Sequence, residues 1–258
     1  MKAQVTIFII TGMIIILLGL LLGVVITNEL YKDESTRAAT DPAPIKSFID
    51  GCIERTAHDS LFFFGMVGGK IEPQHFSSFL EYDDYYKIPH WYYVGENRAP
   101  SDADVEQILQ TYVNQNLKKC INNFSELSKT GWKFQDSQVS TKVYINDFDV
   151  IFNVFYPVTA SRSDIKVEFT DFSIKILSRL KQILEASRYI VYQEVSDTQR
   201  EGEPLIWWPK LSQIAKSNYN ITAHAEQDNN IVYRIVDLDK NYMINNELYT
   251  LQFANKIR

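Results

Sequence analysis

Residues 139–158 read VSTKVYINDFDVIFNVFYPV. Apolar and polar residues alternate there with a period of two, whereas the apolar runs before Gly131 recur at a helical spacing near 3.6. The stretch predicts two strands, Val139–Ile145 and Val150–Val158, turning at Asn146-Asp147. Val150 to Tyr156 is its most apolar part and is expected to lie in the middle of a sheet. Ile165–Thr170 reads as a third strand after a turn at Arg162-Ser163-Asp164. Helices that precede and follow such a meander predict an α+β fold, with helices packed on antiparallel sheets.

Towards the C-terminus, Phe172 to about Val195 reads as a long helix with Ile176, Leu177, Leu180, Ile183, Leu184, Ser187 and Ile190 on one face. Pro209 to Asn218 reads as a short helix. Tyr219–Ala225 and Ile231–Asp237 form a hairpin over Glu226–Asn230, and Leu248–Ala254 adds a strand. ITAHAEQDNNIVYRIVDL parallels the segment that starts at Val139, and YTLQFANKI parallels IKVEFTDFSIKI. Either a unit of one helix and three strands is duplicated, or two unrelated meanders look alike.

Towards the N-terminus, Ala99-Pro100-Ser101 opens a helix. Ser101 and Asp104 form an S-x-x-D start signal, and Val105, Ile108, Leu109, Tyr112, Val113, Leu117, Cys120, Ile121 and Phe124 form its apolar stripe. Ile45–Phe64 is helical by the same period, with Ile45, Phe48, Ile49, Cys52, Ile53, Leu61 and Phe64 on one side. GMVGG at 65–69 reads as its C-cap and turn, because no GK[ST] follows and no strand precedes it. Between these helices lies FSSFLEYDDYYKIPHWYYV, residues 76–94. Its aromatics suit either a lid over the apolar face or a surface for sugars or proteins, with Tyr85, Tyr86, Trp91 and Tyr92 as the binding candidates.

Upstream, Val5–Ile26 carries no charge and no proline. About 22 residues at 1.5 Å each span roughly 33 Å, the reach of a transmembrane helix. Its core is too long for a cleaved secretory signal. Lys2 and the α-amino group flank it on one side and a mixed-charge segment on the other, which predicts the N-terminus inside and the head outside. Gly12, Gly19, Gly23 and Thr27 share one helical face, where small residues let a second helix approach. Four parts follow: an anchor over 1–27, a polar linker over 28–44, an α+β part over 45–170 that includes the aromatic insert, and a helix with three strands over 171–258.

Chemistry is sparse. The net charge of −6 and the lack of a Lys/Arg stripe argue against nucleic acid as a partner. His58, His75, His90 and His224 have no second His or Cys at metal spacing, and the two cysteines cannot make a four-thiolate site, so neither cofactor nor metal is expected. His58-Asp59-Ser60 is triad-like in composition only, since neighbours on a helix point about 100° apart. Asp83-Asp84 reads as a solvated acidic loop, and no hydrolase, Walker or dinucleotide motif occurs, so the chain is not expected to be an enzyme. Asn123-Phe124-Ser125 and Asn220-Ile221-Thr222 are N-glycosylation sequons, which makes Asn123 and Asn220 acceptors in an exterior head. Cys52 and Cys120 both lie on buried helical stripes beyond the anchor, and are expected to form a disulfide, the alternative being two separate buried thiols.

Lys2-Ala3-Gln4-Val5 resembles the processing site of archaeal type IV pilin precursors, the class III signal peptides. The resemblance implies cleavage between Ala3 and Gln4 with the anchor retained; a plain uncleaved signal-anchor is the alternative. Phe8 stands where many pilins carry Glu, and Asp41-Pro42-Ala43-Pro44 interrupts the continuous helix that pilins have. With FFFGMVGGKI and the closing LYTLQFANKIR, the chain resembles uncharacterised membrane-anchored surface proteins of small archaea, a resemblance that implies no activity. The expectation is a single-pass cell-surface protein that touches membrane lipid through 5–26, with a structural or binding role, including pilin-like assembly through self-association of the anchor. A glycan-binding ectodomain and an envelope hydrolase are the rival classes, and the partner is a surface glycan or protein.

Overall fold

A computed structural model describes residues 18–20, 41–68, 78–81, 87–197 and 218–257, the last two before 198 in backbone only. Of the expected anchor only Leu18, Gly19 and Leu20 are included, and they are helical. Ala3, Gln4, Gly12, Gly23, Tyr85 and Tyr86 lie outside the described residues, as does most of the linker and of the helix expected from Pro209. Among the described residues, no helix is long and apolar enough to cross a membrane.

Helix α1 spans Ala43–Met66, two residues earlier at its start than the period indicates. The prolines explain the early start. Pro42 and Pro44 sit in the first turn, where a missing N–H costs nothing, and Asp41 Oδ1 accepts from Ala43 N at 2.9 Å. The helix stops at Val67, whose N–H donates to the Phe63 carbonyl. Here the glycines have a steric task. A Cβ on Gly65 would come within 2.1 Å of the Thr250 carbonyl oxygen, and one on Gly68 within 2.2 Å of Gln252 O. Gly68 also holds φ +57°, where side chains are strained. The glycine-rich run thus lets the end of α1 lie directly on a strand backbone.

Helix α2, Asp102–Ile121, begins with the capping box read from the sequence. Ser101 Oγ accepts from Asp104 N at 3.2 Å, and Asp104 Oδ2 accepts from Ser101 N at 2.8 Å. Strands β1 (Phe79–Glu81), β2 (Lys87–Tyr93) and β3 (Glu96–Asn97) come between the two helices.

The first sheet holds β4 (Lys133–Asp136), β5 (Ser140–Ile145), β6 (Asp149–Arg162) and β7 (Ile165–Leu177), all antiparallel. β6 is central, as its apolar content indicated. β7 pairs along one side of it, and β5 and β4 follow one another along the other. Even-numbered β6 residues from Val150 to Ala160 face the core and odd ones face outward.

The long helix does not begin at Phe172. β7 runs on to Leu177, across the boundary expected between 170 and 171, and helix α3 spans only Leu180–Asp197. Phe172, Ile174 and Ile176 stand opposite Val154, Phe152 and Val150, so this apolar spacing serves a strand. Ser178 N–H then donates to Phe148 O, Ser178 Oγ accepts from Leu180 N, and the helix starts.

The second sheet runs β1-β2-β10-β9-β8, with β3 on β2; β8 is Tyr219–Glu226, β9 Asn230–Asp237 and β10 Thr250–Lys256. The β8–β9 hairpin and the strand after it match the sequence pattern. The sheet is not purely antiparallel, however: β2 pairs parallel with β10, joining the aromatic segment to the C-terminal end. Trp91 stacks on Phe253 at 4.7 Å and Tyr233 on Phe253 at 5.3 Å. One hydrophobic cluster contains residues of α1, α2, α3 and both sheets.

Candidate functional site

Among the described residues, the helices cover one face of the first sheet and leave the other open. Pairing register fixes which side chains meet there. Lys142, Asn153 and Ser173 form one rung across β5, β6 and β7; Ser140, Phe155 and Asp171 form the next. Strands lie about 4.8 Å apart and same-face residues of one strand about 6.8 Å apart, so the six side chains occupy a compact patch. They rim a depression of about 470 Å³, whose lining is completed by Val154 and Phe172. Phe155 is 49% exposed, and Tyr144, at 47%, lies one rung beyond Lys142 on the same face.

Hydrogen bonds set the patch's polarity. Ser173 Oγ donates to Asn153 Oδ1 at 2.8 Å, which leaves the Asn153 amide N–H groups and the Ser173 lone pairs to solvent. Thr170 Oγ1 donates to Asp171 Oδ2 at 2.6 Å. At one end, Lys175 Nζ meets Asp149 Oδ2 at 2.8 Å and, with the Asn146 amide, holds the Asp149 carboxyl below its usual pKa. The register of β6 against β7 shifts directly after Phe155, between Phe155 and Val158. Such a bulge bends a strand and re-aims the adjacent side chain. The lining contains no histidine or cysteine; it offers donors, acceptors and an aromatic ring.

The residues singled out from sequence lie elsewhere. Cys52 and Cys120 are joined in a disulfide, Cα atoms 5.6 Å apart, which ties α1 to α2. Trp91 and Tyr92 are 0% and 1% exposed, so neither presents a ring to a ligand. Trp91 Nε1 instead donates to Gly68 O at 3.2 Å. The Lys87–Tyr93 part of the aromatic segment is a strand inside the molecule, and its pairing with β10 turns Trp91 onto Phe253. Asn123 and Asn220 are both exposed, Asn123 in a left-handed turn with φ 52° and Asn220 on the edge strand β8.

His90 Nε2 lies 2.8 Å from Asn230 Oδ1, and burial, opposed by this hydrogen bond, lowers the ring's pKa. His58, Asp59 and Ser60 form no triad: Ser60 Oγ is buried and donates to Ala57 O, while Asp59 Oδ1 accepts from Asn245. Among the described residues, no three His, Cys, Asp or Glu side chains are grouped to hold a metal ion.

The patch is not legible in the sequence, because its six residues come from three separate strands. A phenylalanine at an outward-facing position of an alternating strand was the available signal, and Phe155 is that residue. Compared with known proteins, the chain matches no family model, no curated protein and no solved structure.

Proposed function

We propose that this chain is a single-pass membrane-anchored cell-surface protein, with the apolar run 5–26 in the bilayer, the N-terminus inside and the α+β head outside in a structural or binding role. The observation that carries the reading is the Cys52–Cys120 disulfide. Stable disulfides belong to oxidising compartments and are rare in reducing ones. An uncharged run of membrane-spanning length just upstream agrees with that placement. The sequons on exposed Asn123 and Asn220 are accessible to modification in the same compartment. The resemblance of Lys2-Ala3-Gln4-Val5 to class III signals suggests pilin-like processing and assembly as the structural variant.

Two measurements test the placement together. Protease added to intact cells removes the head, and alkylation of membrane protein without reductant leaves both cysteines unlabelled. Full protection of the head, or two alkylated cysteines in folded protein, rejects it.

A further inference from the structure

We propose that the open face of β5, β6 and β7 is a binding site for a neutral oligosaccharide, with Phe155 as the stacking platform. The proposal rests on the exterior placement for its biology, but its chemistry stands on the face alone. A half-exposed phenylalanine in the central strand of a sheet leaves apolar surface in water. The bulge directly after it aims that ring, and bulges cluster beside functional sites. Pyranose rings of a β-linked chain present flat C–H faces that stack on such a ring while their hydroxyls reach sideways.

The groups beside the ring suit those hydroxyls. Lys142 and the Asn153 amide donate; Asp171 accepts, and Ser140 and Ser173 do either. One cation and one anion stand on opposite sides of the central strand, so the patch carries no net charge. An anionic ligand or a nucleic-acid strand would call for several cations pointing one way. A polyol needs mixed donors and acceptors, which are present. The depression of about 470 Å³ falls in the range of small-ligand sites, about 300–1,000 Å³. Ion pairs at the periphery, Lys175 with Asp149 and Lys166 with Glu168, also argue against a dry protein interface there.

The test uses the full chain in a sugar-free detergent, titrated calorimetrically with cellopentaose, chitopentaose and mannopentaose. At least one binds, and Phe155→Ala weakens it roughly tenfold, the value of one aromatic stack. Asn153→Ala weakens it as well, whereas Tyr189→Ala, which removes an exposed aromatic from α3, does not. Circular dichroism confirms that each variant folds; Phe155 and Asn153 are surface side chains. The proposal falls if none of the three sugars binds, or if both face variants bind like the parent. Binding only to a sulfated glycan, lost on adding salt, overturns the neutral-ligand assignment. Concentration-dependent dimerisation abolished by Phe155→Ala identifies a second copy as the occupant and overturns it too. These titrations do not depend on the compartment, which the alkylation experiment reads separately.

Discussion

At the scale of single residues, two buried polar groups make opposite predictions. Arg179 Nε donates to Asp237 Oδ2 at 2.9 Å and its Nη2 to Oδ1, with both side chains buried. The rings of Tyr219 and Tyr242 lie 4.8 and 4.9 Å from the guanidinium carbon. Asp237→Asn leaves that cation without its counter-charge and costs about 3–5 kcal/mol in urea unfolding. Tyr249 is different. Its hydroxyl is buried with no partner among the described residues, and burial pushes its pKa far up. Tyr249→Phe removes an unpaired dipole and gains about 1 kcal/mol in the same assay. His58 and His90 give a pH dependence. Burial lowers both below the reference value of 6.5. Below about pH 6.5 the unfolded chain binds protons that the folded one resists, so stability is flat above that pH and falls beneath it. The urea midpoint followed from pH 7 to about pH 5 shows this decline, and His90→Gln makes it shallower.

At the scale of elements, the disulfide closes a 68-residue separation between α1 and α2. Loop closure assigns it roughly 4 kcal/mol, so Cys120→Ser lowers the unfolding free energy by about that amount. An unchanged denaturation curve contradicts this. These helices were legible in the sequence because each buries one face at a helical period and α2 carries its own start signal. β6 and the β8–β9 hairpin were legible because neighbouring segments pair. What escaped were contacts remote in sequence. Nothing local marks Lys87–Tyr93 as the parallel partner of Thr250–Lys256, so Trp91 and Tyr92 read as part either of a lid over the apolar face or of a binding surface. The stretch from Phe172 to Leu177 was ambiguous for a different reason. Its apolar spacing alternates, yet also meets the stripe of the helix beyond it, and only pairing with Val150–Val154 selects the strand.

At the scale of the whole molecule, assembly through the proposed anchor over 5–26 is testable without reference to the head. If the face of Gly12, Gly19 and Gly23 brings two anchors together, Gly19→Ile or Gly23→Ile wedges them apart and lowers the signal of a membrane dimerisation reporter. An unaltered signal reduces those glycines to ordinary membrane-helix composition. The parallel pairing of β2 with β10 bears on how the protein is made. Synthesis runs from the N-terminus at roughly 5–20 residues per second, so β2 waits on the order of ten seconds for β10 to leave the ribosome. During that interval Trp91 has no Phe253 to lie against, and the nascent chain presents it to whatever is nearby. A holding chaperone, or a delay in folding until release, then becomes a requirement of biogenesis. A chain cut after residue 248 loses all of β10, and its product is a substrate for quality control.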